Sequence, residues 1–373
     1  MTPRVHHPSL PAKSDRSILL DLARGLAALI VVASHARAWL YPVPPPEGGP
    51  LTRTFLFLTG LPFEAVMVFF VISGYFVGGS VVSATARGDW SWSEYGFRRL
   101  TRLWIVLLPA LLLTAGWDNL GNAIGNRDYY IGALNKPDIF LGNLFFLQYI
   151  HFPVYGSNGP LWSLAYEFWY YLLFPMIYRA FVGRDPLRHR VLLGVGAAVL
   201  LLLLPRSLAA GGLVWLMGIG ARWVVLSERW RRPLSGWPFF LLAAGFFGWV
   251  LGNPVHTEFP WPRYSLGFGF ACMVPFLATR NPASPLLRKL ATLAGGSSYT
   301  LYLAHFPFLV FLFQGLCFPA QPAGHALSPL LYAGLMLVVG LYTGVLWFAF
   351  ERRTDRIRKT LREKWLPRLR QEC

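Results

Sequence analysis

Ser17-Ile-Leu-Leu-Asp-Leu-Ala-Arg-Gly-Leu-Ala-Ala-Leu-Ile-Val-Val-Ala-Ser-His-Ala-Arg-Ala-Trp39 decides the fold. From Ile18 onward the stretch is apolar and long enough to cross a bilayer, which takes about 20 residues. It nevertheless carries Asp21, Arg24 and His35. An ionisable side chain at the centre of a membrane helix costs about 2.5–3.5 kcal/mol on insertion scales, so such residues point to function. Arg24 and His35 are eleven positions apart, almost three full helical turns, which places them on one face and roughly 16 Å apart along the axis. A fixed cation toward one end and a titratable imidazole toward the other suit a long anionic ligand whose reactive end must reach a base. Read alone, each residue has an ordinary explanation. The arginine could snorkel and the histidine could be a buried hydrogen-bonding group.

The rest of the chain extends this pattern. Hydrophobic residues make up 55% of the 373, and only 14% are charged. The mean hydropathy is +0.45. These values describe an all-α, polytopic membrane bundle and exclude a soluble enzyme. We expect ten spans, near 18–40, 58–82, 100–116, 160–182, 191–204, 208–226, 237–252, 263–279, 297–317 and 328–350. The apolar stretch 139–150 is too short to span and reads as an interfacial or re-entrant piece. Residues 1–16 are polar and basic and form an N-terminal tail. The first apolar stretch is too long and too charged for a cleaved leader. Residues 17–351 form the membrane domain, and 352–373 form a basic C-terminal tail expected to rest on anionic lipid.

The net charge of +17 raises the question of nucleic acid. Its distribution answers it. With both termini in the cytoplasm, most of the 34 lysines and arginines fall on the inner side, in clusters around Arg98, Arg184, Arg231, Arg288 and Arg352–Arg370. This is the asymmetry of a membrane protein, and no nucleic-acid partner is implied. Three cysteines give neither a disulfide framework nor a metal site.

Several polar positions inside the apolar segments are candidates for chemistry. Arg99 and Arg102, in Phe97-Arg-Arg-Leu-Thr-Arg102, share a helix face at the inner boundary. Guanidinium forks match phosphate oxygens, although positive flanking of a span is the plainer reading. Phe69-Phe-Val-Ile-Ser-Gly-Tyr75 puts Ser73 and Gly74 where helices can approach closely. In Asn158-Gly-Pro-Leu-Trp-Ser-Leu-Ala-Tyr-Glu-Phe-Trp-Tyr-Tyr171, Pro160 fits a first helical turn, and Glu167 then falls two turns into the apolar layer with Ser163 one turn before it. Glu167 either pairs with an arginine, orients His35, or binds an acceptor hydroxyl. In Ser297-Ser-Tyr-Thr-Leu-Tyr-Leu-Ala-His305, Tyr302 and His305 share a face and read as structural or substrate-lining residues. Glu64, at the start of the second span, and Glu351, at the end of the last, have no assigned role beyond an interfacial carboxylate and a cap. Trp39, Tyr41, Trp117, Tyr149, Tyr155, Trp249 and Trp261 cluster toward the outer boundary. They form an aromatic belt or a surface for stacking sugars.

Asp21-Leu-Ala-Arg24, the Arg24/His35 spacing, Phe69-Phe-Val-Ile-Ser-Gly74, Arg99-Leu-Thr-Arg102, Leu161-Trp-Ser-Leu-Ala-Tyr-Glu167 and Ser298-Tyr-Thr-Leu-Tyr-Leu-Ala-His305 occur in this order. Together they resemble the acyltransferase-3 family of integral membrane acyltransferases over about residues 14–352. The resemblance implies transfer of an acyl group, often acetyl, from cytoplasmic acyl-CoA to a hydroxyl of a sugar, glycan or glycolipid, in the inner membrane of a bacterium. It implies His35 as the catalytic histidine, Arg24 as its motif partner, and Arg99 and Arg102 as residues facing the coenzyme. Because the chain ends soon after the last span, we expect the stand-alone type without a fused hydrolase-like domain. Glu64 departs from the family pattern. Direct transfer, with His35 taking the acceptor proton and Glu167 orienting the imidazole or the acceptor, is the expected chemistry. An acyl-His35 intermediate is the other route. A transporter or flippase for a small anionic substrate is the competing reading. It would move substrate without consuming a thioester.

Overall fold

The computed structural model describes residues 17–42, 49–124, 134–253, 261–321 and 328–371. They form fifteen α-helices: α1 (Ile18–Leu40), α2 (Pro50–Leu58), α3 (Pro62–Ser73), α4 (Gly79–Arg87), α5 (Trp92–Ile124), α6 (Pro137–Leu144), α7 (Leu161–Val182), α8 (Leu187–Leu203), α9 (Arg206–Leu226), α10 (Glu228–Leu234), α11 (Trp237–Gly252), α12 (Trp261–Thr279), α13 (Pro285–Val310), α14 (Pro329–Ala349) and α15 (Thr354–Gln371). A π-helical turn, Gly74–Gly78, joins α3 to α4, and another, Phe311–Gly315, ends α13. Among the described residues there is no strand, only one isolated bridge between Gln148 and Phe152. The expected all-α class holds.

Each of the ten expected spans coincides with a helix or helix pair. Among the described residues, six helices are long and apolar enough to cross a membrane, or seven if the bent pair Glu228–Leu234 and Trp237–Gly252 counts as one. α8 and α11 have 17 and 16 residues, shorter than a typical crossing.

Helix starts follow local sequence. The Ser17 hydroxyl accepts from the Leu20 amide at 3.3 Å. Ser284-Pro285 and Ser328-Pro329 each place a capping serine before a proline at the first helical position. Apolar solvent removes the hydrophobic drive between membrane helices, so association depends on close packing of small residues. α1 lies against α13 along most of its length, and also packs on α3, α12 and α14. At its closest approach, a Cβ on Gly25 would fall 2.7 Å from the Ala294 carbonyl carbon, and one on Gly295 would fall 2.7 Å from the Asp21 oxygen. Gly74 and Gly218 make the second such crossing. A Cβ on Gly74 would overlap the Trp215 carbonyl, and one on Gly218 would overlap the Val71 carbonyl. The close approach read at Gly74 is therefore real, and its partner is α9.

Segment 134–160 is a folded cap. It contains α6 where the short apolar piece was read. Buried Asn143 accepts from the Tyr155 amide at 3.0 Å and donates to the Pro153 carbonyl at 2.9 Å. Asp118, wholly buried on α5, accepts from the Ser157 amide at 2.9 Å and from its hydroxyl at 2.7 Å. Asn158 donates to Thr114 of α5 and to the Leu303 carbonyl of α13. The cap thus registers the start of α7 against α5 and α13.

Candidate functional site

A cavity of about 630 Å³ runs between α1, α3, α5, α7 and α13. One end is basic. Arg24 and Asp21 of α1, Arg98, Arg99 and Arg102 of α5, and Arg358 and Asp355 of α15 line it there. The middle is walled by Ser73, Phe76, Glu167, Tyr171 and Tyr299, and the far end by Ser163, Tyr302 and Leu303.

The arginines differ in how they are held. Arg24 Nη2 donates to Asp21 at 3.0 Å and to the Gly295 carbonyl at 2.7 Å. Its Nε is buried without a hydrogen-bond partner. Arg99 donates to Ser80 at 2.9 Å, lies over the rings of Tyr95 and Tyr171, and likewise has a buried Nε without a partner. Arg102 makes no hydrogen bond and no ion pair among the described residues. Guanidinium donors left over at the basic end of the cavity fit an anion with several oxygens.

α13 departs from a plain helix where it borders this cavity. The Thr300 amide and hydroxyl both donate to Glu351 Oε2, at 2.9 and 2.7 Å. Trp347 Nε1 donates to the Gly296 carbonyl at 2.9 Å, and Arg24 takes the Gly295 carbonyl. Glu351 is therefore more than a terminal cap, because it ties the end of α14 to the middle of α13. Glu64 sits half-buried in the first turn of α3, away from the cavity.

The polar groups at the far end form a chain. Ser163 Oγ and the Tyr302 hydroxyl lie 2.7 Å apart, and Tyr302 also donates to the Pro160 carbonyl at 3.2 Å. His305, one turn beyond Tyr302, is 0% exposed. Its Nδ1 lies 2.9 Å from the Leu301 carbonyl, and its Nε2 lies 2.9 Å from His35 Nδ1. A carbonyl can only accept, so His305 Nδ1 carries the proton and Nε2 offers a lone pair. His35 Nδ1 must then be the donor of the second bond. That leaves the lone pair on His35 Nε2, which has no partner among the described residues. The half-buried His35 ring lies edge to edge with His305, the two planes within 9° and the centroids 5.2 Å apart as the hydrogen bond between them requires, and it meets Phe306 edge-on.

Three expectations change. Glu167 does not orient His35, because its carboxylate accepts from the Tyr171 hydroxyl at 2.5 Å on the cavity wall, and the residue beside His35 is His305. His305 does not line the cavity and fits the structural of its two readings, because it lies beside the His35 ring, bonded to its Nδ1. Arg24 and His35 share a face of α1, yet only Arg24 lines the cavity. His35 sits beyond the layer formed by Tyr302, whose ring is 6.3 Å from that of His305. Ser163, Tyr302, Arg99 and Arg102 all lie on the wall. No sequence motif singles out His305 as the partner of His35, and only the α1–α13 crossing brings them together.

Most of the outer aromatics pack inward. Tyr41 and Tyr155 are buried, Trp39 stacks on Phe313, and Trp117 donates to the Tyr342 hydroxyl at 2.8 Å. Trp249 is exposed, and the side chain of Trp261 lies outside the described residues. A second, smaller cavity of about 340 Å³ opens among Phe63, Tyr149, Trp162, Tyr166 and Arg263, and shares Phe70 with the first.

The profile of a family described as an acyltransferase domain, acyltransferase 3, matches residues 18–349. The chain belongs to the acyltransferase-3 family. It is 26% identical to nodulation protein 10 of Rhizobium leguminosarum bv. viciae over 264 residues, which is 69% of this chain and 64% of that protein. It is 25% identical to an uncharacterized protein of Haemophilus influenzae over 114 residues, 30% of this chain and 46% of that protein. The chain thus spans less than two thirds of either relative. No solved structure matches it. The matched family is described as an acyltransferase domain, and among the described residues six or seven helices are able to span.

Proposed function

We propose that the protein transfers an acyl group, acetyl in the first instance, from cytoplasmic acyl-CoA to a hydroxyl of a sugar or glycan at the outer side of the membrane. One observation carries this reading: a cavity that begins among arginines without full complements of partners and ends one aromatic layer from a hydrogen-bonded histidine pair. CoA has that shape and polarity. Its phosphates occupy the basic end, and the distribution of arginines supports a cytoplasmic position for that end. Its pantetheine arm follows the Phe76, Glu167 and Tyr299 walls, and the thioester arrives near Ser163 and Tyr302.

The residues divide the chemistry as follows. Arg24, Arg99 and Arg102 bind the donor phosphates. His305 fixes His35 with its Nε2 lone pair free. His35 Nε2 takes the proton of the acceptor hydroxyl while that oxygen attacks the thioester carbonyl carbon. The C–S bond breaks, and the CoA thiolate takes the proton back from the imidazolium. General base action of this kind contributes about 10²–10⁴-fold. Glu167 holds Tyr171, which carries the Arg99 guanidinium on its face. Tyr302 and Ser163 supply hydroxyls at the thioester. The aromatic cavity around Trp162 and Tyr149 supports a sugar as acceptor, because ring faces stack on sugars.

Purified protein in detergent is incubated with acetyl-CoA and a panel of glycans, and free CoA thiol is followed. Thiol release that needs both His35 and one added glycan supports the reading and names the acceptor. Turnover retained in His35→Ala removes His35 as the base. Movement of a glycan across proteoliposomes without thiol release replaces the enzyme by a transporter.

A further inference from the structure

α15 lies beyond the segment matched by the family, which ends at residue 349. Its described portion does not simply trail along the membrane. Arg358 Nε donates to Thr101 of α5 at 3.2 Å, and Arg362 pairs with Glu94 of α5 at 3.1 Å. Glu94 is held from its own helix by Arg98 at 2.5 Å, so one carboxylate staples α15 to the start of α5. The docked helix turns Arg358 into the cavity mouth beside Arg98, Arg99 and Arg102. The carboxylate paired with Arg358 is Asp355, one turn away at 2.9 Å, and its side chain is 94% exposed. That pair is screened and exchanges readily for a stronger anion. A guanidinium brought against three others opposes Coulomb repulsion, which a bound polyanion would reverse.

We propose that α15 completes a phosphate subsite at the cavity mouth, with Arg358 taking the ribose 3′-phosphate of acyl-CoA. The inference rests on the donor reading above. Order along the cavity assigns the phosphates. Arg102 lies one turn further along α5 than Arg98, and Arg24 lies on α1 beside the Gly295 carbonyl, so these inner groups meet the diphosphate next to the pantetheine arm. The 3′-phosphate is the group farthest from the thioester. It is left for Arg358 at the outermost wall. The chain segment outside the family domain thereby selects the phosphorylated coenzyme over its 3′-dephospho form.

The test measures binding of coenzyme A and of 3′-dephospho-coenzyme A to the full chain in detergent, by calorimetry, for wild type and Arg358→Gln. Arg358→Gln is expected to weaken coenzyme A about tenfold, the size of one lost charge-assisted hydrogen bond. Binding of the dephospho form should stay within about twofold of wild type. Arg358→Lys, which keeps the charge and loses the fork, should fall between for coenzyme A alone. It also serves if the glutamine variant is not monodisperse. Equal weakening of both ligands would make Arg358 a structural residue and overturn the proposal. No change in either would overturn it as well, while leaving the donor reading intact. Failure of wild type to bind either ligand would overturn the donor reading and this subsite with it.

Discussion

His305 donates its Nδ1 proton to the Leu301 carbonyl, and this one bond decides what His35 can do. With only a lone pair on His305 Nε2, His35 must present its proton inward and its base outward. Truncation to His305→Ala removes the acceptor and lets the His35 ring rotate and change tautomer. We expect turnover to fall about 10²-fold or more while coenzyme binding is kept, because no arginine is touched. His305→Gln, whose amide oxygen can accept from His35, should retain part of what alanine loses. Equal loss in both variants would show that packing beside the ring, and not the bond, matters. At the donor end, Arg102→Gln should weaken coenzyme A about 10- to 100-fold, since a charge-assisted hydrogen bond is worth about 1.5–3 kcal/mol. Titration of the purified variant checks this. Sequence alone singles out His35 and three of the arginines that line the cavity, Arg24, Arg99 and Arg102, because charges in an apolar run stand out. It does not reach the pairing of His35 with His305, because the partner of that buried group is set by which helices cross. Glu167 and Tyr171 are one turn apart on α7, so their contact follows from spacing, whereas no spacing within α13 states that His305 meets His35 of α1.

At the scale of helices, the site depends on two crossings made of glycine. α1 meets α13 at Gly25 and Gly295, and α3 meets α9 at Gly74 and Gly218. The first sets the distance between His35 and His305, two turns or more further along the same pair. The second backs Ser73, which accepts from Trp215 Nε1 at 3.1 Å and faces Tyr171 at 3.2 Å. Gly74→Leu forces side-chain atoms toward the Trp215 carbonyl, and overpacking of this kind costs about 1–3 kcal/mol. The thermal midpoint in detergent should drop, and the accompanying shift of Ser73 and Tyr171 should weaken coenzyme A. A variant with an unchanged midpoint would show that α9 can slide without consequence. The helices themselves were legible from the sequence, since runs of apolar residues bounded by Ser-Pro or Gly leave few alternatives. Which of them cross a membrane is less so. α8 and α11 are short, and polar residues interrupt others. The folded cap over 134–160 was hidden because its order comes from Asp118, Asn143 and Asn158, three side chains distant from one another in sequence and unremarkable singly.

At the scale of the molecule, one asymmetry remains to be tested, namely which end of the cavity faces the cytoplasm. The basic end gathers Arg98, Arg99, Arg102 and Arg358, and the opposite end carries the cap with Asp118 and Ser157. If the arginines are inside, donor and acceptor enter from opposite faces and only the acyl group changes sides. Two exposed positions report on this without touching the site. Cys317 is exposed just past the π turn that ends α13, at the end remote from the arginines. Lys359 on α15 is 80% exposed at the basic end. In a chain carrying Cys272→Ser and Cys373→Ser, a membrane-impermeant maleimide added to sealed right-side-out vesicles should label Cys317. The same reagent should reach Lys359→Cys, in a background also lacking Cys317, only after the vesicles are opened. The reverse pattern would place the arginines outside, where no acyl-CoA is available, and the donor assignment could not stand. Labelling of both positions from outside would break the link between the two ends, and with it the route of the acyl group through the cavity.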